Sequence, residues 1–212
     1  MGFFSTKPNE WQVKDMKATK PGLLLVVSGP SGVGKGTVCK RLLELDPNIV
    51  LSVSATTRRP RAQEIEGVHY YFISLDEFIA KRQEKAFLEW AEVYGNYYGT
   101  LRALVDERLQ SGQDVILEID TQGAMQVRAA CPDGVFVFIM PPSFAELRRR
   151  IVSRATESTD IINLRLSRAE FEMSLAAEYN HSVINHVVDQ TALDLRQILL
   201  QEKQQRFETE DI

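Results

Sequence analysis

Cysteine is scarce in this 212-residue chain: Cys39 and Cys131 are the whole supply, and neither stands in a CxxC or zinc-type spacing. Two cysteines cannot staple a fold of this size, so a disulfide scaffold is excluded and both read as reduced, buried thiols of a cytosolic protein. Long apolar runs are missing as well. No stretch approaches the roughly 18 apolar residues of a bilayer-spanning helix. Met1 to Lys20 lacks the apolar run of a signal peptide and reads as a polar extension. Cytoplasmic location and no membrane partner are therefore expected. A positive surplus is missing too: the net charge is −4, which excludes a nucleic-acid binder relying on a cationic surface. There are no internal repeats or low-complexity tracts. At 44% hydrophobic and 25% charged residues the composition is ordinary globular, and the length suits one domain core with modest insertions. Composition leaves monomer and homo-oligomer open.

The positive charge that is present is clustered. Arg148, Arg149, Arg150, Arg154, Arg165 and Arg168 put six arginines within 21 residues, and Arg58, Arg59 and Arg61 form a second group. Such clusters on an acidic protein suit a small polyanion held at one site.

Continuous apolar runs at Leu23–Ser28, Val115–Ile119 and Val135–Ile139, with a shorter one at Val183–Val188, read as strands buried on both faces. Helical patterns lie between them: Val38–Leu45, Leu101–Gln110 ahead of Gly112, and Ala192 to about Phe207. Ser143-x-x-Glu146 and Ser74-x-x-Glu77 are capping boxes opening helices through Arg154 and Lys85. Strands alternating with helices predict a doubly wound α/β fold on a parallel sheet. Ser52–Thr100 breaks that rhythm. It is rich in Thr, Arg, Gly and Tyr, carries the alternating piece Val68–Ile73, and reads as an inserted, partly β subdomain. Thr156–Arg168 is a second insertion candidate.

Gly29-Pro30-Ser31-Gly32-Val33-Gly34-Lys35-Gly36-Thr37 fits G-x-x-x-x-G-K between a buried strand and a helix, the context that a phosphate-binding loop requires. Its glycines let the backbone wrap a phosphate with N–H groups pointing inward, and the helix offers its positive end to the same anion. Lys35 reaches the β- and γ-phosphates. The usual Ser or Thr after the lysine is Gly36, with the hydroxyl one position on at Thr37. Thr37 is thus expected at the α-phosphate, with Mg2+ held mainly by water and nucleotide oxygens and no direct protein ligand. The loop by itself leaves GTPases, ATPases and small-molecule kinases open, although no Asn-Lys-x-Asp guanine-reading motif of a regulatory GTPase occurs.

Several further motifs, in order, resemble the guanylate kinase family. They are Ser52-Val53-Ser54-Ala55-Thr56-Thr57-Arg58-Arg59-Pro60-Arg61, Glu64-x-x-Gly67-x-x-Tyr70, Phe87-Leu88-Glu89-Trp90-Ala91, Gly95-Asn96-Tyr97-Tyr98-Gly99-Thr100 and Ile119-Asp120-x-Gln122-Gly123. The resemblance runs from about Gly22 to Leu200. It implies a P-loop NTPase-type core at 21–51, 101–153 and 169–207, a mixed α/β GMP-binding insertion at 52–100 and a small lid at 154–168. The implied activity moves the γ-phosphoryl group of ATP to GMP, in purine nucleotide metabolism. Residue types fit that reading. Arg58 and Arg61, three apart, can grip a phosphate dianion from two directions, with Tyr70, Tyr98 and Ser54 supplying hydroxyls. A carboxylate is the natural acceptor for the N–H groups of guanine. In the family, the residues matching Glu89 and Thr100 read the base, and the one matching Asp120 lies near it. Glu118 stands where the family's second carboxylate is usually an aspartate, one methylene shorter.

By the same resemblance Arg154 and Arg165 are lid arginines, catalytic together with Lys35 and Arg58, and supported by Arg148 or Arg149. The usual Arg-Gly-Thr-Glu reads Arg154-Ala155-Thr156-Glu157 here. Asn185 matches an asparagine that touches the adenine of ATP. Two alternatives stay open at this point: a non-catalytic guanylate-kinase-like binding module, and a kinase for a different nucleoside monophosphate.

Overall fold

The structure, a computed structural model, describes residues 20–154 and 159–210. The polar extension before Lys20, the segment Ala155-Thr156-Glu157 and the side chain of Arg154 lie outside the described residues.

The main sheet is parallel, in the order β2 (Ile49–Leu51), β7 (Asp114–Glu118), β1 (Leu24–Ser28), β8 (Val135–Met140), β9 (His181–Ile184). The central strands are apolar at nearly every position because helices cover both faces. Leu25 and Val27 pack on one side, against Leu42 of α1 (Lys35–Leu45), Leu147 of α5 (Phe144–Arg154) and Leu195 of α7 (Val188–Glu210). Leu24 and Val26 pack on the other, with Val105 of α3 (Arg102–Gln110) and Val127 of α4 (Thr121–Ala130). The doubly wound α/β fold expected from the sequence is the fold observed.

Between β2 and α3 the chain builds a second sheet, ordered β4 (Tyr71–Phe72), β3 (Ala55–Thr56), β6 (Asn96–Leu101), β5 (Phe87–Val93). It has its own apolar cluster, where Phe78 of α2 (Leu75–Gln83) stacks on Phe87 at 4.4 Å. Thr56 ties this sheet together by donating its hydroxyl to the Tyr97 carbonyl at 3.0 Å.

Both capping serines act as read. The Ser74 hydroxyl accepts the Glu77 N–H at 3.1 Å and the Ser143 hydroxyl accepts the Glu146 N–H at 3.1 Å, each cap being worth about 1 kcal/mol. Three readings need correction. The expected strand Val68–Ile73 shrinks to Tyr71–Phe72, because the preceding residues close a turn through Gly67 N–H to Tyr70 O at 2.9 Å. The strand expected through Val188 stops at Ile184, and α7 begins at Val188 rather than Ala192. Helix α4 has no counterpart in the sequence reading; Gly123 in its first turn masks the pattern, although Asp120 caps it by accepting the Gly123 N–H at 2.8 Å. Of the two thiols, Cys39 is buried as expected, whereas Cys131 is half-buried.

Candidate active site

Strand β1 runs into Gly29–Thr37, which turns directly into α1. Gly34 is the residue before the helix, at φ +100°, a region that side chains rarely adopt. At Gly29 a Cβ would lie 2.4 Å from the Ile139 carbonyl oxygen, so the loop is pressed against β8. Pro30 and Val33 are buried, while Gly36 and Thr37 face outward on the first turn of α1. The Lys35 ammonium folds back over the loop and donates to the Gly29 carbonyl at 2.6 Å. Burial lowers the pKa of Lys35, opposed by the charges of Glu172, Glu118 and Asp120.

The buried Asn185 braces this loop from β9's end. Its amide donates to the Val33 carbonyl at 2.8 Å, and its oxygen accepts the Thr191 hydroxyl at 3.2 Å. Arg150 adds two bonds, to the carbonyls of Val33 and Asn185, each at 3.2 Å. An open cleft of about 330 Å³ follows the outer side of the loop, lined by Gly34, Thr37, Arg149, Arg150, Asn185 and His186 among others. Within the arginine run Arg148 is exposed and Arg149 is paired with Glu146 at 2.8 Å. Helix α6 (Thr159–Ser174) carries Arg165, half-buried, and Arg168, exposed.

Strand β7 ends beside β1, with Glu118 level with Val27. This brings Glu118 and Asp120 to the same sheet edge as the phosphate loop, the edge where open α/β sheets hold ligands. A Cβ on Gly36 would lie 3.2 Å from a Glu118 oxygen, so the missing side chain at position 36 leaves room for the longer carboxylate. Burial raises the pKa of Glu118, with Lys35 opposing. Ser54, Tyr70, Thr100, Glu118, His69 and Ile119 are among the residues lining a cleft of about 160 Å³ next to it.

Above that cleft, a register shift between Phe87 and Glu89 turns the Glu89 side chain inward, opposite Thr100 on β6. The Thr100 hydroxyl donates to Glu89 Oε1 at 2.6 Å in a buried pair. The other Glu89 oxygen would be 3.1 Å from a Cβ on Gly123, and a Cβ there would also crowd Asp120 at 3.4 Å. Burial raises the pKa of Glu89, the Thr100 hydrogen bond opposes it, and Asp120 adds to the rise. Arg58 is held by a bidentate pair with Glu64, at 2.8 and 3.0 Å. Its guanidinium also lies 5.4 Å over the Tyr70 ring. Hydrogen bonds from the Arg58 side chain and the Arg61 N–H bring Glu64 down to a pKa of about 2. Arg61 itself is exposed.

The sequence reading did not single out Glu64 as a site residue, nor Arg150, Glu172 or Gly123. For Glu64, its place inside the Arg58–Tyr70 motif was a usable signal. Gly123 likewise stands inside the Ile119–Gly123 motif, whereas Arg150 and Glu172 reach the site only through tertiary packing.

A parallel sheet with a glycine-rich loop and its lysine at one strand end, and a cleft at the next lined by Glu118, Tyr70 and Thr100 with Glu89 and Arg58 in the sheet beside it, has the arrangement of a P-loop phosphotransferase of the nucleoside monophosphate kinase class. A family model described as guanylate kinase matches residues 22–202. The chain belongs to the guanylate kinase family. It is 50% identical over 188 residues to the guanylate kinase of Caldanaerobacter subterraneus subsp. tengcongensis, covering 89% of this chain and 91% of that protein. Identity to the guanylate kinase of Halalkalibacterium halodurans is 53% over 168 residues, 79% of this chain and 82% of the other. The crystal structure of guanylate kinase from Anaplasma phagocytophilum matches with a TM-score of 0.67 at 38% identity, over 86% of this chain and 87% of that one.

Proposed function

We propose that the chain transfers the γ-phosphoryl group of ATP to GMP, and to dGMP, giving ADP and GDP or dGDP. The observation that carries the choice of acceptor is the buried Glu89–Thr100 pair at 2.6 Å, with a second carboxylate oxygen left open by Gly123. A fixed, acceptor-only group suits the N1–H and N2–H donors of guanine and has no match on adenine.

In this reading the loop Gly29–Thr37 and Lys35 cradle the ATP phosphates, and the cleft beside Asn185 takes the nucleoside. Ser54, Arg58, Arg61, Tyr70 and Tyr98 hold the GMP phosphate. Glu89, Thr100, Asp120 and Glu118 face the base and its surroundings. A GMP phosphate oxygen attacks the γ-phosphorus in line as the bond to the β-phosphate oxygen breaks, and ADP leaves with that oxygen. The acceptor is already anionic, so no strong general base is needed; positioning and charge neutralisation carry the step. Lys35, Arg58, Arg154 and Arg165 supply that neutralisation. Residues 52–100 act as the GMP-binding unit, 154–168 as the lid and 21–51, 101–153 and 169–207 as the core, in the cytoplasm.

Mg2+ is the proposed divalent ion, and bound with ATP it would neutralise β- and γ-phosphate oxygens. Among the described residues no cluster of three His, Cys, Asp or Glu could hold a metal. The room at Gly36 sets the Glu118 carboxylate over the start of α1. These residues fit an ion held mainly by nucleotide oxygens and water, flanked by Glu118 and Thr37.

The intact Gly29, Gly34 and Lys35 count against a non-catalytic binding module. The test is ADP release with ATP and Mg2+, offering GMP, AMP, UMP and CMP in parallel. Turnover with GMP alone is expected. Equal or better turnover with another monophosphate refutes the guanine assignment, and GMP binding without any turnover refutes catalysis.

A further inference from the structure

One carboxylate at the phosphate loop has no role in the reaction as described. Glu172, on α6, accepts the backbone N–H of Ser31, inside the loop, at 3.2 Å. It is also the foremost of the charges that oppose the lowering of the Lys35 pKa. A negative charge at a loop built for phosphate is unfavourable for anion binding as such, so its presence there calls for a mechanical reason.

Helical spacing supplies one. Arg165, Arg168 and Glu172 stand at i, i+3 and i+7, which puts them on one side of α6. Between them Leu166 and Ala169 are buried in the core, so the helix is fixed laterally by packing. Ile162 and Met173 of the same helix also pack half-buried against that core, so apolar contact sets the face that α6 presents; being non-directional, it leaves small sliding of the helix along the sheet weakly determined. A side chain-to-backbone bond from the C-terminal end of α6 to the loop removes that freedom. Arg165 lies about 10 Å along the axis from Glu172, two turns nearer the N-terminal end of α6.

We propose that Glu172 is a positioning residue that locks α6 to the phosphate loop and thereby aims Arg165 and Arg168 at the phosphates the loop binds. The proposal rests on the phosphotransfer reading above. It makes Glu172 act through the arginines, with no contact of its own to the reacting atoms.

The test measures kcat and KM separately for ATP and GMP in Glu172→Ala, Glu172→Gln and Arg165→Ala proteins, and in the Glu172→Ala/Arg165→Ala double variant. Thermal melts check that each is folded. Misaimed arginines should lower kcat of Glu172→Ala by roughly 10–100-fold, with the KM for GMP unchanged. Glu172→Gln keeps an oxygen for the Ser31 N–H, so kcat should return to within about 3-fold of the parent. Its ADP affinity, measured by calorimetry, should rise because the negative charge is gone. The double variant should lose less than the product of the two single losses, since Glu172 acts in part through Arg165.

Multiplicative losses in the double variant overturn the proposal, as does a Glu172→Gln protein as slow as Glu172→Ala. If Glu172→Ala does not fold, the Gln protein decides alone: near-parental kcat with tighter ADP supports the lock, and unchanged ADP affinity refutes it. A parent without GMP turnover sinks the proposed function. A fully active Glu172→Ala protein sinks only the positioning role.

Discussion

Replacing Glu89 by Gln changes one oxygen to an amide nitrogen with almost no change of shape, and its two consequences have opposite signs. The Thr100 hydroxyl can still donate to the remaining oxygen, replacing the 2.6 Å bond of the parent. On the proposed reading of the site, the amide NH2 then faces the N–H groups of the incoming guanine. A hydrogen bond to a charged acceptor contributes about 1.5–3 kcal/mol, and a buried donor left unpaired costs about 1–3 kcal/mol. Allowing for their overlap, a loss of about 3–4 kcal/mol is expected, or roughly 200- to 1,000-fold in kcat/KM for GMP. Stability moves the other way. Burial raises the Glu89 pKa in the folded protein above its unfolded value. Ionising the buried group therefore costs folding free energy, a cost that grows as pH rises from the ordinary carboxyl range towards the raised folded pKa and is complete above it. Glu89→Gln lacks this cost, so it should melt no lower than the parent at pH 8, and the difference should narrow towards pH 5. Steady-state kinetics with GMP and AMP, with melts at both pH values, test the pair. A loss below 3-fold, or a Gln variant that melts lower at pH 8, would refute the reasoning.

Leu42→Ala removes a fully buried side chain of α1 where it meets the sheet and α7. It should cost about 3 kcal/mol and lower Tm by roughly 6–12 °C, measured by calorimetry with the parent alongside. Thiol labelling separates the two cysteines. Burial, with Glu118 adding to it, pushes the Cys39 thiol up to about 12, whereas Cys131 is half-buried. A chromogenic disulfide at pH 8 should titrate one thiol in the native protein and two in denaturant; two fast native thiols would contradict the packing.

Much of the fold was legible because its strands are buried on both faces. Leu24–Val27 and Val135–Met140 have to be apolar throughout, and few other elements are. The two serine caps were legible for a local reason, since the bond spans only three residues. Helix α4 was not, because a glycine three residues past its cap lowers the local helical signal, and its place is fixed instead by contact with β5 and β1. The end of β9 was equally hidden. Asn185 leaves the strand to brace Val33, a residue 152 positions away in the chain.

The sequence by itself determined the phosphate-loop motif and the doubly buried strands of the parallel core, since each depends on residue type and on spacing within a dozen residues. Tertiary structure alone decided which groups are buried and which of them meet. The Glu89–Thr100 pair requires the register shift on β5. The space at Gly36 acquires meaning only when β7 brings Glu118 to it across 82 residues of chain. Arg150 and Glu172 reach the loop from helices far along the chain. Hydrogen bonds and charge effects depend on distances of a few ångströms, and a chain sets those only after its core has closed.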